Sequence, residues 1–170
     1  MHTASSVDSF RLTMKLLLDN FPLKHCFEWG SGNSTEVMCD HPSVETVDSV
    51  DNDEFYITSV RRDFSVRMAN IIHENDQRDY CKVCGDHAPY DFIFVDGRDR
   101  VNCLRQALKI LSDSGIVMLH DACREKYEDG MNLYKHKFFT DGGHTATLTN
   151  HKEVANKISS LFEQHMKEIT

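Results

Sequence analysis

The stretch from Cys26 to Asp51, CFEWGSGNSTEVMCDHPSVETVDSVD, constrains this chain more than any other. A short apolar run, Cys26, Phe27 and Trp29, carries one acid, Glu28, and ends in Gly30-Ser31-Gly32-Asn33-Ser34-Thr35. A short helical piece follows, then an alternating run through Val44, Thr46, Val47 and Val50 that ends on Asp51. Strand, glycine turn, helix, strand and acid, in that order, is the layout of a site for an adenosine-containing cofactor. Glycine permits positive φ and lets a ligand come close to the backbone. The helix start after Ser34 offers free N–H groups to an anion. Asp51, at the tip of the second strand, can accept both hydrogen bonds of a ribose diol; it could instead cap the helix that follows.

A dinucleotide site reads G-x-G-x-x-G. Here Gly30 and Gly32 are present, but Thr35 occupies the third glycine position. That glycine lets helix and strand pack closely beneath a pyrophosphate, so its replacement counts against NAD or FAD. The run Glu28 to Thr35, of form E-x-G-x-G-x-S-T, resembles motif I of the class I S-adenosylmethionine-dependent methyltransferases. The resemblance implies that the loop backbone faces the methionine part of S-adenosylmethionine, which has no phosphate, and that Asp51 holds the ribose. It further implies an adenine contact just after the third strand, which we assign to Asp76, although Glu74 and Asp76 could also be plain solvated loop. The expected cofactor residues are Glu28, Gly30, Ser31, Gly32, Ser34, Asp51, Asn52, Asp76 and Asp96.

At 170 residues the chain is long enough for one domain with a full core, residues 1–170. Its 40% hydrophobic and 27% charged content is that of a soluble globular protein. No apolar run is long enough to cross a membrane, and the first residues lack the basic-then-apolar pattern of a secretory signal, so a cytoplasmic location is expected. The net charge of -8 argues against a nucleic-acid partner, which needs clustered Lys and Arg. Of the six cysteines, Cys26, Cys103 and Cys123 fall in or beside expected core elements. Cys81-x-x-Cys84-x-x-His87 supplies only part of a four-ligand zinc site, with no second pair nearby, and reads as a loop with surface thiols.

Along the chain, Phe10, Met14, Leu17 and Leu18 share one face of a helix from Ser5 to Asn20, ended by Phe21-Pro22. Strands are expected at His25 to Trp29, Val44 to Val50 and Ala69 to His73. Between the last two lies a helix with Phe55, Tyr56, Ile57, Val60 and Phe64 as its apolar bulk. The segment to Pro89 reads as loop with one helical turn at most. Tyr90 to Val95 and Ile116 to Leu119 read as buried parallel strands, separated by a helix from Arg100 to Leu111 that Ser114-Gly115 stops. Ala122 to Tyr134 reads as a helix with a soft point at Gly130. Lys137 to Thr140 and Thr145 to Thr149 form a hairpin. Glu153 to Ile169 is a closing helix. This order predicts an α/β fold. The resemblance supplies the rest: a Rossmann-like three-layer sandwich, with a seven-stranded, mostly parallel sheet and a terminal antiparallel hairpin.

In such sheets ligands bind beyond the carboxyl ends of the strands. Those ends carry Gly30 to Ser34, Asp51, Glu74 to Asp76, Asp96 to Arg100 and His120 to Arg124. Asp91 to Tyr127 also resembles a pattern of small class I methyltransferases, V-D-G-R-x-R…C…A-L…L…G…H-D…R…Y. That resemblance places Asp96 near the transferable methyl; alternatively it is a turn residue before Gly97. A sulfonium methyl is already activated, so alignment matters more than acid–base power, and a base helps only a hydroxyl acceptor. His120 is the best base by residue type, with Asp96 and Asp121 beside it as catalytic candidates. These two acids with His120 could also hold a divalent ion such as Mg2+. Arg98, Arg100 and Arg124 could clamp an anionic group of the acceptor, or pair with Asp96, Asp99 and Asp121 and hold the loops. Tyr127 lines the pocket or packs against it. We therefore expect methyl transfer to a small-molecule or glycan-type hydroxyl, with substrate contacts at Arg98, Arg124 and Tyr127. An NAD-linked oxidoreductase and a non-catalytic S-adenosylmethionine-binding module are the alternatives. With no inserted cap in the sequence, a homo-oligomer could complete the acceptor site.

Overall fold

The computed structural model describes residues 6–63 and 68–168. Chain order is α1 (Ser6–Asn20), β1 (His25–Trp29), α2 (Asn33–Cys39), β2 (Thr46–Asp51), α3 (Glu54–Asp63), β3 (Ala69–His73), α4 (Gln77–Tyr80), β4 (Tyr90–Val95), α5 (Arg100–Ile110), β5 (Leu111–His120), α6 (Glu128–Met131), β6 (His136–Thr140), β7 (Thr145–Thr149) and α7 (Lys152–Glu168). The seven strands form one sheet in the order β3-β2-β1-β4-β5-β7-β6. β1 to β5 run parallel, and β7 enters antiparallel between β5 and β6. The chain leaves β1 toward one side and returns at β4 on the other, so the switch point lies between these two strand tips.

Successive strand residues point to opposite faces, and the two faces have separate cores. On one side Phe27, Trp29, Ile93, Val95, Val117 and Leu119 pack against Cys103, Leu104 and Ala107 of α5. On the other, Cys26, Val47, Phe92, Phe94 and Met118 pack against Phe10, Met14, Leu17 and Leu18 of α1, Met38 of α2 and Ile158 of α7. Glu28, Ser49, Asp51, Asp96 and His120 have the parity of this second face. The α1 side of the carboxyl edge is therefore where the chain concentrates its polar groups.

Several expectations are corrected. Among the described side chains of α3 only Ile57 and Val60 are buried, against Ile71, while Phe55 is 83% exposed and Tyr56 is also exposed. Phe64 and Ile169 lie outside the described residues. β5 begins at Leu111, not Ile116, because α5 ends at Ile110 and the chain is already extended through Ser112. The helix expected over Ala122 to Tyr134 is broken into a 3-10 turn at Glu125–Tyr127 and the single turn α6. Asp121 takes a left-handed conformation, φ 56°, and swings the chain off the strand. Gly130 then meets α5, where a Cβ would lie 2.6 Å from Leu104 Cδ1. Cys123 is exposed rather than in the core, 3.4 Å from Nδ1 of His144. The Cys81–His87 loop is pinned by the buried Asp48, which accepts hydrogen bonds from Tyr90 (2.5 Å), His87 (2.8 Å) and Asn70 (3.0 Å).

Candidate functional site

Gly30 follows β1 with φ 103°, and its amide donates to the Val50 carbonyl at 2.8 Å. A Cβ there would stand 2.7 Å from the Gly97 nitrogen. The glycine is needed for backbone-to-backbone packing of the β1 and β4 tips, not for ligand approach alone. At Gly32 the space a Cβ would enter is bounded by Tyr56 Oη, 3.0 Å away. Tyr56 thus places its hydroxyl over the glycine loop. Sequence reasoning counted it as helix bulk and missed it; its place in the first turn after the strand-tip acid was the available signal.

Asp51 faces this loop. Its Oδ2 accepts from the Ser31 amide at 2.8 Å and its Oδ1 from the Asp53 amide at 3.0 Å. Asp53, not Asp51, caps α3, accepting from the Tyr56 amide at 3.0 Å. Each Asp51 oxygen retains a second lone pair for a ligand hydroxyl. Beneath the loop, Glu28 is fully buried and accepts from Ser34 Oγ (2.5 Å), Ser49 Oγ (2.8 Å) and Thr35 Oγ1. Ser31 Oγ is likewise turned inward, 2.7 Å from Ser49 Oγ. This geometry moves the Glu28, Ser31 and Ser34 side chains from direct contacts to supports of the loop. The Gly32 amide is bonded to Thr35 Oγ1 at 2.9 Å, which removes an N–H that an anion would use.

Burial pushes the Glu28 carboxyl up to about 7, against the three hydroxyl hydrogen bonds that favour its ionised form. From its ordinary 4.5 up to about 7, the folded chain keeps a proton that the unfolded chain has released. Stability therefore falls as pH rises through that window, by about 3 kcal/mol in total. Glu28→Gln is expected to remove that slope, making the variant the more stable protein at pH 8 and the less stable or equal one near pH 5. Urea unfolding at the two pH values checks it; parallel pH profiles would exclude Glu28 as the group responsible.

Further along the edge, Asn52 is half-buried and its carbonyl lies 3.2 Å from His73 Nε2. Asp76 caps α4, and its carboxylate is committed to the Arg78 amide (2.8 Å) and guanidinium (3.0 Å). Its expected adenine contact has no support in this arrangement.

At the β4 and β5 tips Arg100 is the organiser, a role the sequence left open. Its side chain is only 10% exposed. It donates to the carbonyls of Asp96 (2.8 Å), Gly97 (3.0 Å) and His120 (2.6 Å), and it pairs with the carboxylates of Asp96 (2.8 Å) and Asp121 (3.5 Å). Tyr127 is buried beneath it, with the guanidinium 5.2 Å from the ring centroid, so Tyr127 packs against the site rather than lining it. Arg124 is half-exposed and bonded to Asp121 at 2.8 Å; Arg98 is exposed.

His120 Nδ1 lies 3.0 Å from Asp96 Oδ1. A carboxylate only accepts, so Nδ1 carries the proton and Nε2 is the free position. Nε2 is buried with no hydrogen-bond partner among the described residues, and the Phe10 ring packs on the imidazole at 5.2 Å. The Asp96 hydrogen bond raises the His120 pKa above its usual value, more than burial lowers it. Ligand atoms of Asp96, His120 and Asp121 lie within 4.8 Å of one another. Arg100 already pairs with both carboxylates and Arg124 with one of them, however, and a divalent ion would have to sit against the Arg100 guanidinium. The arrangement as it stands does not fit one. Cys81, Cys84 and His87 form no metal-ligating group among the described residues.

No family model matches the chain, and no curated protein sequence matches it. Solved structures do. A methyltransferase-like protein from Silicibacter pomeroyi superimposes with a TM-score of 0.66 and 16% identity, over 95% of this chain and 96% of that one. An O-methyltransferase from Bacillus cereus in complex with SAH gives 0.64 and 14%, over 87% and 83%. The spermidine synthase from Thermotoga maritima gives 0.58 and 14%, over 82% of this chain but 58% of that one. The chain thus has the Rossmann-like fold of the class I S-adenosylmethionine-dependent methyltransferases, as the resemblance implied. A spermidine synthase among the neighbours shows that this fold alone does not choose the reaction.

Proposed function

We propose that this protein is an S-adenosylmethionine-dependent methyltransferase that acts on a hydroxyl of a small-molecule or glycan-type acceptor. The observation that carries the reading is Asp51: the strand-tip acid is hydrogen-bonded to the glycine loop and turned toward it, not toward solvent. Gly30 to Gly32, Asp51 and Asn52 would hold the nucleoside, with Tyr56 along its edge. When bound, the cofactor supplies a methyl group already activated as a sulfonium. The protein's share is orientation, exclusion of water and removal of the acceptor's proton.

His120 takes that proton at Nε2 once the acceptor displaces the Phe10 contact on the ring, while Asp96 holds the other ring nitrogen protonated. Because Asp96 raises its pKa, the neutral base grows in population only as pH rises through that raised value. Turnover should rise with pH over the same range. His120→Ala should lower turnover by about 100-fold or more and cofactor affinity by less than threefold, consistent with general-base contributions. Unchanged turnover on a true acceptor would demote His120 to packing.

Two observations disfavour the NAD alternative. The Gly32 amide is spent on Thr35, and Thr35 fills the position of the packing glycine. Calorimetry with S-adenosylmethionine and with NAD separates the two readings, and binding without any turnover would leave a non-catalytic module. Mass spectrometry of what co-purifies with the chain tests the cofactor class directly: a retained adenosyl sulfonium or thioether supports it, and a retained dinucleotide overturns it.

A further inference from the structure

A second site lies on the same face of the sheet, where α1, α7 and the end of β6 meet. Leu12, Leu16, Phe162 and Met166 wall a cavity of about 480 Å³, with Phe139 at its rim on the edge strand. That is the size range of pockets that enclose small organic ligands. Leu12, Phe139 and Met166 are each more than half exposed, so its mouth opens to solvent. Two polar atoms of lining residues, Asp141 Oδ2 and His165 Nε2, are buried and have no hydrogen-bond partner among the described residues. Enclosed polar atoms left unpaired are costly, and their presence beside apolar walls calls for a complementary polar group. Asp141 is held in a left-handed conformation, φ 55°, and the turn continues through Gly142 and Gly143, where a Cβ would meet nothing within 4 Å.

The cavity is linked to His120 by strand register. His120 is paired with Thr145, and Thr145 with Thr140. Directly opposed residues of antiparallel strands project on the same face. Thr140 Oγ1 lies 3.0 Å from Thr13 Oγ1 of α1, which fixes that face as the α1 side. Thr145 Oγ1 is, like His120 Nε2, buried and unpartnered among the described residues. A row of polar groups therefore runs from the candidate base across two strand spacings, roughly 10 Å, to the cavity's edge at Thr140.

We propose that this cavity binds a small amphiphile, an aromatic or aliphatic body bearing a hydrogen-bond donor, and that it is the body-binding subsite of the methyl acceptor. The second half of the proposal rests on the methyl-transfer reading. Apolar walls select against a free sugar; Asp141 selects for a donor. The acceptor is thus an apolar-bodied molecule seated on the α1 side, with one donor held at Asp141 and a second, reacting hydroxyl directed along the threonine row toward His120.

The test uses the full chain and two probes of one shape, 4-propylphenol and propylbenzene, followed by amide NMR. Saturable shifts at Leu12, Phe139, Gly142 and Gly143 are expected, with about tenfold tighter binding of the phenol, the worth of one buried hydrogen bond. Leu16→Trp, which fills the cavity, should abolish the shifts. Leu12→Asp, on the exposed side of α1, should weaken them by about tenfold through lost apolar contact, and it serves if the tryptophan variant does not fold. Equal binding of both probes, shifts confined to other surfaces, or sedimentation showing a dimer that protects Leu12, Phe139 and Met166 would overturn the proposal. S-adenosylmethionine affinity is measured separately by calorimetry. Nucleoside binding without probe binding removes this subsite and leaves the methyl-transfer reading intact. Probe binding without nucleoside binding keeps the amphiphile site and removes the methyl-transfer reading.

Discussion

Replacing Arg100 with alanine is expected to destabilise the protein by about 3 kcal/mol, the cost of leaving three carbonyls and two partly exposed carboxylates without their donor. The guanidinium is nearly enclosed and ties the β4 tip to the β5 tip through three carbonyls and two carboxylates. Its loss would leave Asp96 without its guanidinium and Asp121 with only the half-exposed Arg124. It would also withdraw the ring contact that Tyr127 makes from below. The contrast is Arg124→Ala. Arg124 is half-exposed and meets Asp121 at the surface, and such pairs are worth about 1 kcal/mol or less. Arg100→Lys should recover little, because one ammonium cannot reach the acceptors that a planar fork spans. Urea unfolding of the three variants at pH 7 checks the series. A loss below about 1 kcal/mol for Arg100→Ala would mean that the strand tips hold themselves in place without it.

Asp51→Ala is expected to weaken S-adenosylmethionine binding by at least tenfold, about 1.4 kcal/mol, because a ribose diol would lose its acceptor. The same change removes the partner of the buried Ser31 amide, so about 1–3 kcal/mol of stability should go with it. Asp51→Asn retains one acceptor oxygen and should fall between the two proteins. The stability and affinity effects are separable: calorimetry on folded variant reports the diol contact, and unfolding reports the loop. Unchanged affinity for the alanine variant would take Asp51 out of the site and the ribose with it.

Much of this architecture was legible because its signals are local and periodic. The apolar spacing of Phe10, Met14, Leu17 and Leu18 placed α1, and all four are buried. The YDFIFV run gave β4, and the Asp141-Gly142-Gly143 turn gave the final hairpin. Misreadings fell where the backbone departs from periodicity. The left-handed Asp121 ended β5 and erased the expected helix after it, and aspartate's modest tolerance of positive φ does not say which aspartate will use it. Tyr56 and Phe55 looked like core in α3, since an apolar count cannot say which face a helix turns to the sheet.

By itself the amino-acid sequence determined the layered α/β class, the glycine turn after the first strand and the acid at the tip of the second, because each of these is written in adjacent residues. Tertiary structure alone decided which acids keep lone pairs free and which are spent within the protein. Glu28 and Asp51 look equivalent on paper, yet one lies under the loop holding three hydroxyls and the other borders it with lone pairs to spare. Arg100 could have served a substrate until the β4 and β5 tips closed around it. That difference is long-range: hydrogen-bond partners 20 or 21 residues apart in the chain are chosen by strand register, which local sequence does not encode.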